Sequence, residues 1–208
     1  MSTKITRSGV PDFKRNGQWV KSFITHEGGL QVQNNTRAIL LYNSVNARCR
    51  PGSSTYRESV NGFEDYQSFA EWCQWQPGYM NQETDGRFWA IDKDWLSPHE
   101  PLYSEDTCLF VPVRVNALTV NHKSKRELPL GVTYYTRYAK FSAVCGRSNT
   151  LGYFDTPEQA HKAWQHAQVG RIRAAIEPEF CARLRQAMET RALFIEDDID
   201  LGIETKYA

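Results

Sequence analysis

The stretch from Gly131 to Trp164 constrains the fold more than any other part of the chain. Three apolar runs, GVTYYTR (131–137), KFSAVCG (140–146) and NTLGYF (149–154), are each too short for a helix and are separated by polar turns. A helix opening follows at once. Thr156 is suited to the N-cap, Pro157 to the first helical position, and Glu158 to the positive end of the helix dipole. Ala160, Trp164 and Ala167 then recur at helical spacing as a buried stripe. In the middle run Phe141, Ala143 and Cys145 fall on one face of a strand, with Lys140, Ser142 and Val144 on the other. The pattern predicts a three-stranded antiparallel sheet packed by one face on a single helix, with its other face free.

The chain of 208 residues exceeds a typical domain of roughly 100 to 150 residues, so one large domain or two small ones are both open. Residues 1–28 are polar, with one apolar run, Trp19 to Ile24, that would suit an edge strand; their role is unreadable. RAILLYNSVNARC (37–49) repeats Ile39, Tyr42, Val45 and Cys49 at helical spacing. FEDYQSFAEWCQW (63–75) sets Phe69, Trp72 and Cys73 on one helical face and ends at Gln76 before Pro77. From 88 to 118 short apolar stretches flank the turn-rich SPHEPLYSED, which reads as strand, long loop, then strand or helix. The basic segment 121–128 reads as a linker. Residues 129–176 form the sheet-and-helix module, and 177–208 a helix to about Ala192 followed by an acidic tail with Glu196, Asp197, Asp198 and Asp200.

Hydrophobic content of 40% excludes a disordered chain, and a net charge of +1 means that any affinity for a polyanion must be local. Cys49, Cys73, Cys108, Cys145 and Cys181 are odd in number and lack zinc-type spacing, so no structural zinc is expected and reduced, mostly buried thiols are. No apolar signal core and no run of about 20 apolar residues is present, so no membrane partner is expected. There is no phosphate-binding Gly-rich loop with Lys, no nucleophile elbow and no dinucleotide fingerprint.

Residues 128–164, LPLGVTYYTRYAKFSAVCGRSNTLGYFDTPEQAHKAW, resemble the Apetala-type (ethylene-response-factor-like) DNA-binding module of plant regulators and phage homing endonucleases. The carriers are Gly131 and Val132, the strand KFSAV, the turn from Leu151 to Pro157, and Ala160 with Trp164. The resemblance implies that the free sheet face enters the major groove of double-stranded DNA, where base pairs are distinguishable. That face would present Thr133, Tyr135, Arg137, Lys140, Ser142, Val144, Arg147, Ser148 and Thr150. It is only weakly basic, which implies a modest salt dependence. Lys123, Lys125, Arg126, Arg171 and Arg173 are second-rank candidates for phosphate contacts.

Residues 29–120 resemble, more loosely, the HNH-type (ββα-metal-like) nuclease half of the same phage proteins, through the FEDYQSFAEWCQW helix, AIDKDWL, YSEDTCLFVP and VRVNAL in that order. The resemblance implies an α+β chain that cuts DNA with one divalent cation, Mg²⁺ or Mn²⁺, held by Asp92 and Asn116 with help from Asp94. Lys93 stands where that family has its general-base His, and His99 is the other candidate base. A lysine is protonated at neutral pH unless desolvated, so the departure leaves three readings open. One is a homing-type endonuclease acting in the cytoplasm of an infected bacterial host. Another is a catalytically inactive descendant that binds DNA, or a host or phage protein, as a regulator or anti-host factor. A virion component is a third.

Overall fold

The computed structural model describes residues 4–5, 11–15, 18–20, 32–52, 59–119, 127–146 and 149–207. Over these the chain is α+β and divides into two compact units, Met1–Phe110 and Val111–Ala208. No helix among the described residues is long and apolar enough to cross a membrane.

In the N-terminal unit, β1 (Lys4–Ile5), β2 (Pro11–Arg15) and β3 (Gln18–Val20) form an antiparallel sheet in that order. The expected strand from Trp19 to Ile24 overlaps β3 at Trp19 and Val20, and its remaining residues lie outside the described ones. The helix α1 (Val32–Arg48) starts earlier than its apolar pattern. β4 (Val60–Asn61) follows, then α2 (Tyr66–Trp75). A capping box sets the start of α2: the Asp65 carboxylate accepts from the Ser68 N–H at 2.9 Å, and the Ser68 hydroxyl accepts from the Asp65 N–H at 3.1 Å. Its end falls at Gln76, whose extended backbone leads into Pro77. β5 (Ala90–Asp92) pairs with β7 (Leu109–Val111), and β6 (Leu102–Tyr103) pairs parallel with β4.

Phe69, Trp72 and Cys73 pack with Val45 of α1 and with Phe63, Tyr79 and Phe110. The Phe63 and Phe69 rings meet edge to face, 4.9 Å apart at 87°, the arrangement that aligns a positive ring edge with a negative ring face. Burying each such ring contributes about 1.5 to 3 kcal/mol, so this aromatic cluster carries the unit.

The C-terminal unit opens with α3 (Val113–Asn116) and continues through β8 (Val132–Tyr135), a 3₁₀ turn (Thr136–Tyr138), β9 (Lys140–Cys145), β10 (Asn149–Phe154), α4 (Pro157–Ala174) and α5 (Ala182–Leu201). The sheet is antiparallel in the order β10-β9-β8, with Val132 opposite Ala143 and Phe154 opposite Phe141. This is the sheet its alternation predicts. The Thr156 hydroxyl accepts from the Gln159 N–H at 3.3 Å, and Pro157 occupies the first turn of α4.

Gly131 fixes how closely the helix approaches the sheet. Its φ is +73°, and a Cβ built there would lie 1.9 Å from Cδ1 of Trp164. Two reasons therefore require glycine: the left-handed backbone and the indole lying against it. The buried stripe of α4 departs from expectation at one position. Ala167 is only half buried, while Gln168 is fully buried. A glutamine is tolerated there because its amide is satisfied, donating to the Leu118 carbonyl at 2.7 Å and accepting from Arg171 at 2.9 Å.

The acidic tail is not a tail. The helix expected to end near Ala192 runs to Leu201, because Glu196 and Asp198 have internal partners. Arg173 of α4 donates to Glu189 at 2.7 Å and to Glu196 at 2.8 Å, and the Asp198 carboxylate accepts from the Thr205 hydroxyl at 2.7 Å. Beside Arg173 the Glu196 carboxyl is held below its ordinary range.

His161 ties three segments together. Its Nε2 accepts from the Thr205 N–H at 3.0 Å, so Nδ1 carries the proton and donates to the Leu130 carbonyl at 2.9 Å. Burial holds its pKa below the ordinary histidine value. A depressed folded-state pKa contributes stability that is present above the unfolded value and lost as pH falls through the folded one.

Two measurements follow. In chemical denaturation, Gly131→Ala should destabilise the protein by about 2 to 5 kcal/mol, the combined scale of a left-handed alanine and an overpacked core. Between pH 7 and pH 5, unfolding free energies should fall less steeply for His161→Gln than for the native chain.

Candidate nucleic-acid interface and the Asp92 turn

The face of the sheet turned away from α4 carries Thr133, Tyr135, Lys140, Ser142, Val144, Thr150 and Tyr153, by the alternation from Val132, Ala143 and Cys145 on the helix side. Its centre is aromatic. The Tyr135 ring lies 5.3 Å from Tyr153 and 5.2 Å from Tyr138, and Tyr138 and Tyr153 meet edge to face at 5.4 Å. All three are exposed, Tyr138 by 52%. The turn that presents Tyr138 closes through Ala139, a non-glycine residue at φ +48°. The Arg137 guanidinium lies 5.7 Å from the Tyr138 ring centre, within cation–π range.

Each expected contact residue can now be placed. Thr133, Tyr135, Arg137 and Thr150 are exposed. Lys140 donates to Asp155 at 2.9 Å, which offsets part of its charge. The Ser142 hydroxyl is 2.8 Å from that of Thr133 and buried, so it holds its neighbour rather than reaching outward. Arg147 and Ser148 lie outside the described residues, as do Lys123, Lys125 and Arg126. Arg171 is tied to Gln168, and Arg173 to Glu189 and Glu196. Tyr138 and Tyr153 are not among the contact residues the sequence indicates: Tyr138 lies in the turn after β8 and Tyr153 on β10, two elements that only the β10-β9-β8 order brings together.

In the other unit, Asp92 ends β5 and is buried. Its Oδ2 accepts from the Trp95 N–H at 3.0 Å, which closes the turn after the strand. Burial, followed by the nearby charge of Asp94, pushes the Asp92 carboxyl up to about 6. Lys93 donates to Asp94 at 2.7 Å, with both side chains largely covered, and its ammonium lies 5.9 Å from the centre of the Tyr103 ring. His99 sits exposed in the loop beyond this turn.

A divalent cation recruits ionised carboxylates. Here the cation at Asp94 is the ammonium of Lys93, and burial opposes ionisation of Asp92. As placed, Asp92 Oδ2 and Asp94 Oδ1 already have these protein partners. Asn116 belongs to the other compact unit, where α3 has four residues and the Asn116 Oδ1 is buried without a hydrogen-bond partner. No group of three or more His, Cys, Asp or Glu among the described residues is arranged to hold a metal ion.

The five cysteines are unpaired, with Cys73, Cys108 and Cys145 buried. Burial pushes the Cys108 thiol up to about 12, so it is an inert packing group at neutral pH.

Compared with protein-family models, with curated proteins and with solved structures, the chain matches none.

The elevated Asp92 pKa has a sign that can be measured. A folded-state value raised above the unfolded one contributes stability at low pH that is lost as pH rises from about 4 through about 6. Asp92→Asn keeps an oxygen for the Trp95 N–H and removes the charge. It should therefore raise unfolding free energy by about 1 to 3 kcal/mol at pH 7.5 and change it little at pH 4.

Proposed function

We propose that the C-terminal unit binds double-stranded DNA through the open face of β8, β9 and β10. The observation that carries this reading is an exposed sheet face with a tyrosine cluster at its centre, flanked by Thr133, Thr150 and Arg137 and backed by α4. A three-stranded sheet has the width to enter a major groove, hydroxyls and guanidinium groups meet phosphates and base edges there, and ring faces suit thymine methyl groups. The likeness of residues 128–164 to Apetala-type modules points the same way. In this reading the protein is a DNA-binding regulator, and the Asp92 turn serves the N-terminal unit's fold.

Hydrolysis by an HNH-like centre is the competing reading. The pairing of β5 with β7 suits it, since such centres are built on a strand pair. Against it stand the committed Lys93 and Asp94.

Fluorescence anisotropy with labelled duplex DNA tests the binding. Tyr135→Ala and Tyr153→Ala should each weaken it by roughly 10-fold or more, on the scale of an aromatic contact of about 1 to 3 kcal/mol. Arg137→Ala should lower the slope of log affinity against log salt by about 1, whereas Lys140→Ala, already paired with Asp155, should change it less. Equal binding by all four variants and the native chain would rule out this face. Nicking of supercoiled DNA with Mg²⁺ or Mn²⁺ by the native protein, lost in Asp92→Ala, would establish the hydrolytic reading instead.

A further inference from the structure

The outward face of α5 does not look like the surface of an ordinary terminal helix. Leu184, Ala187, Met188, Arg191, Ala192 and Ile195 form its buried side. Successive residues turn by about 100°, which gathers Arg183, Gln186, Thr190, Leu193, Phe194, Asp197, Asp200 and Leu201 on the opposite side, all exposed. Three of these are large and apolar: Leu193, Phe194 and Leu201 are 48%, 57% and 72% exposed.

Charge says what could cover them. The first turns of α5 carry Arg183 and Arg185, and the last carry Asp197 and Asp200. Of the acidic residues near its end, Glu196 is held by Arg173 and Asp198 by Thr205, which leaves Asp197 and Asp200 on the outward side. A helix that is basic at its start and acidic at its end complements itself only when paired antiparallel. That is also the arrangement in which helix dipoles attract.

We propose that this face is the interface of a homodimer, in which α5 pairs antiparallel with α5 of a second copy about a two-fold axis passing between Leu193 and Phe194. The same patch on both copies is what a two-fold interface requires. At a rise of about 1.5 Å per residue, the dyad sets Leu193 of one copy against Phe194 of the other and Thr190 against Asp197. Gln186 meets Leu201, and Arg183 lies about 6 Å along the axis from the level of Asp200 of the other copy. The surface involved is that of one helix on each side, so the dimer is a weak, reversible one. This inference is independent of the DNA-binding reading, and its test uses no DNA.

Sedimentation equilibrium of the full chain over a wide concentration range should show reversible monomer–dimer exchange. Leu193→Glu with Phe194→Glu should weaken dimerisation by at least about 30-fold, because buried central side chains dominate such interfaces. Asp197→Arg with Asp200→Arg, which makes both ends of the helix basic, should also weaken it, and added salt should then partly restore it. Circular dichroism confirms that these surface variants remain folded. A native chain that stays monomeric throughout, or a dimer unaffected by the Leu193 and Phe194 substitutions, would overturn the assignment; the first outcome would leave the face to a different protein.

Discussion

The architecture of the C-terminal unit rests on the contact between Trp164 and the backbone of Gly131. Only the absence of a side chain at Gly131 lets the indole lie directly on the first strand. That approach brings α4 down onto Ala143 and Cys145 and places His161, one turn earlier, within reach of Leu130. The His161 and Trp164 rings stack with centroids 5.3 Å apart. One small residue thereby sets the spacing between the layers. Gln168 and Gln165 are acceptable in a core because each amide finds partners in segments outside the sheet, Gln168 donating to the Leu118 carbonyl at 2.7 Å and Gln165 to the Thr205 hydroxyl at 2.9 Å.

Much of this was legible in the residues. The cap at Thr156, the proline after it and the alternation of Phe141, Ala143 and Cys145 are local signals whose physics acts within a few residues, and they located the sheet, the start of α4 and the open face. The helix around Phe69, Trp72 and Cys73 was legible for the same reason. The end of α5 was not. Glu196 and Asp198 look like solvated charge in sequence, and only the arrangement of α4 against α5 brings Arg173 to one and Thr205 to the other. The half-buried Ala167 and buried Gln168 are a similar case, since helical spacing indicates a stripe but not its centre. The tyrosine cluster depends on strand register, which a run of aromatic residues does not by itself specify.

The Asp92 turn shows how one chemical pattern serves two purposes. An acidic residue at a strand end followed by a charged turn is what a metal centre requires, and also what a turn requires to satisfy its own backbone. Here the Trp95 N–H donates to Oδ2 of Asp92 and the Lys93 ammonium to Oδ1 of Asp94. Burial then favours the neutral acid, so the arrangement is most comfortable when Asp92 holds a proton.

The tyrosines of the open face are ordered by one another. Each ring rests against the other two, so their rotamers are selected before anything touches them, and Ser142 steadies Thr133 beside them in the same way. A flexible surface must surrender side-chain freedom at about 0.5 to 1.5 kcal/mol per immobilised group when a ligand arrives. Here that ordering is already part of folding. A ligand for this face would therefore meet rings whose positions folding has already set, and would need a contour that suits them.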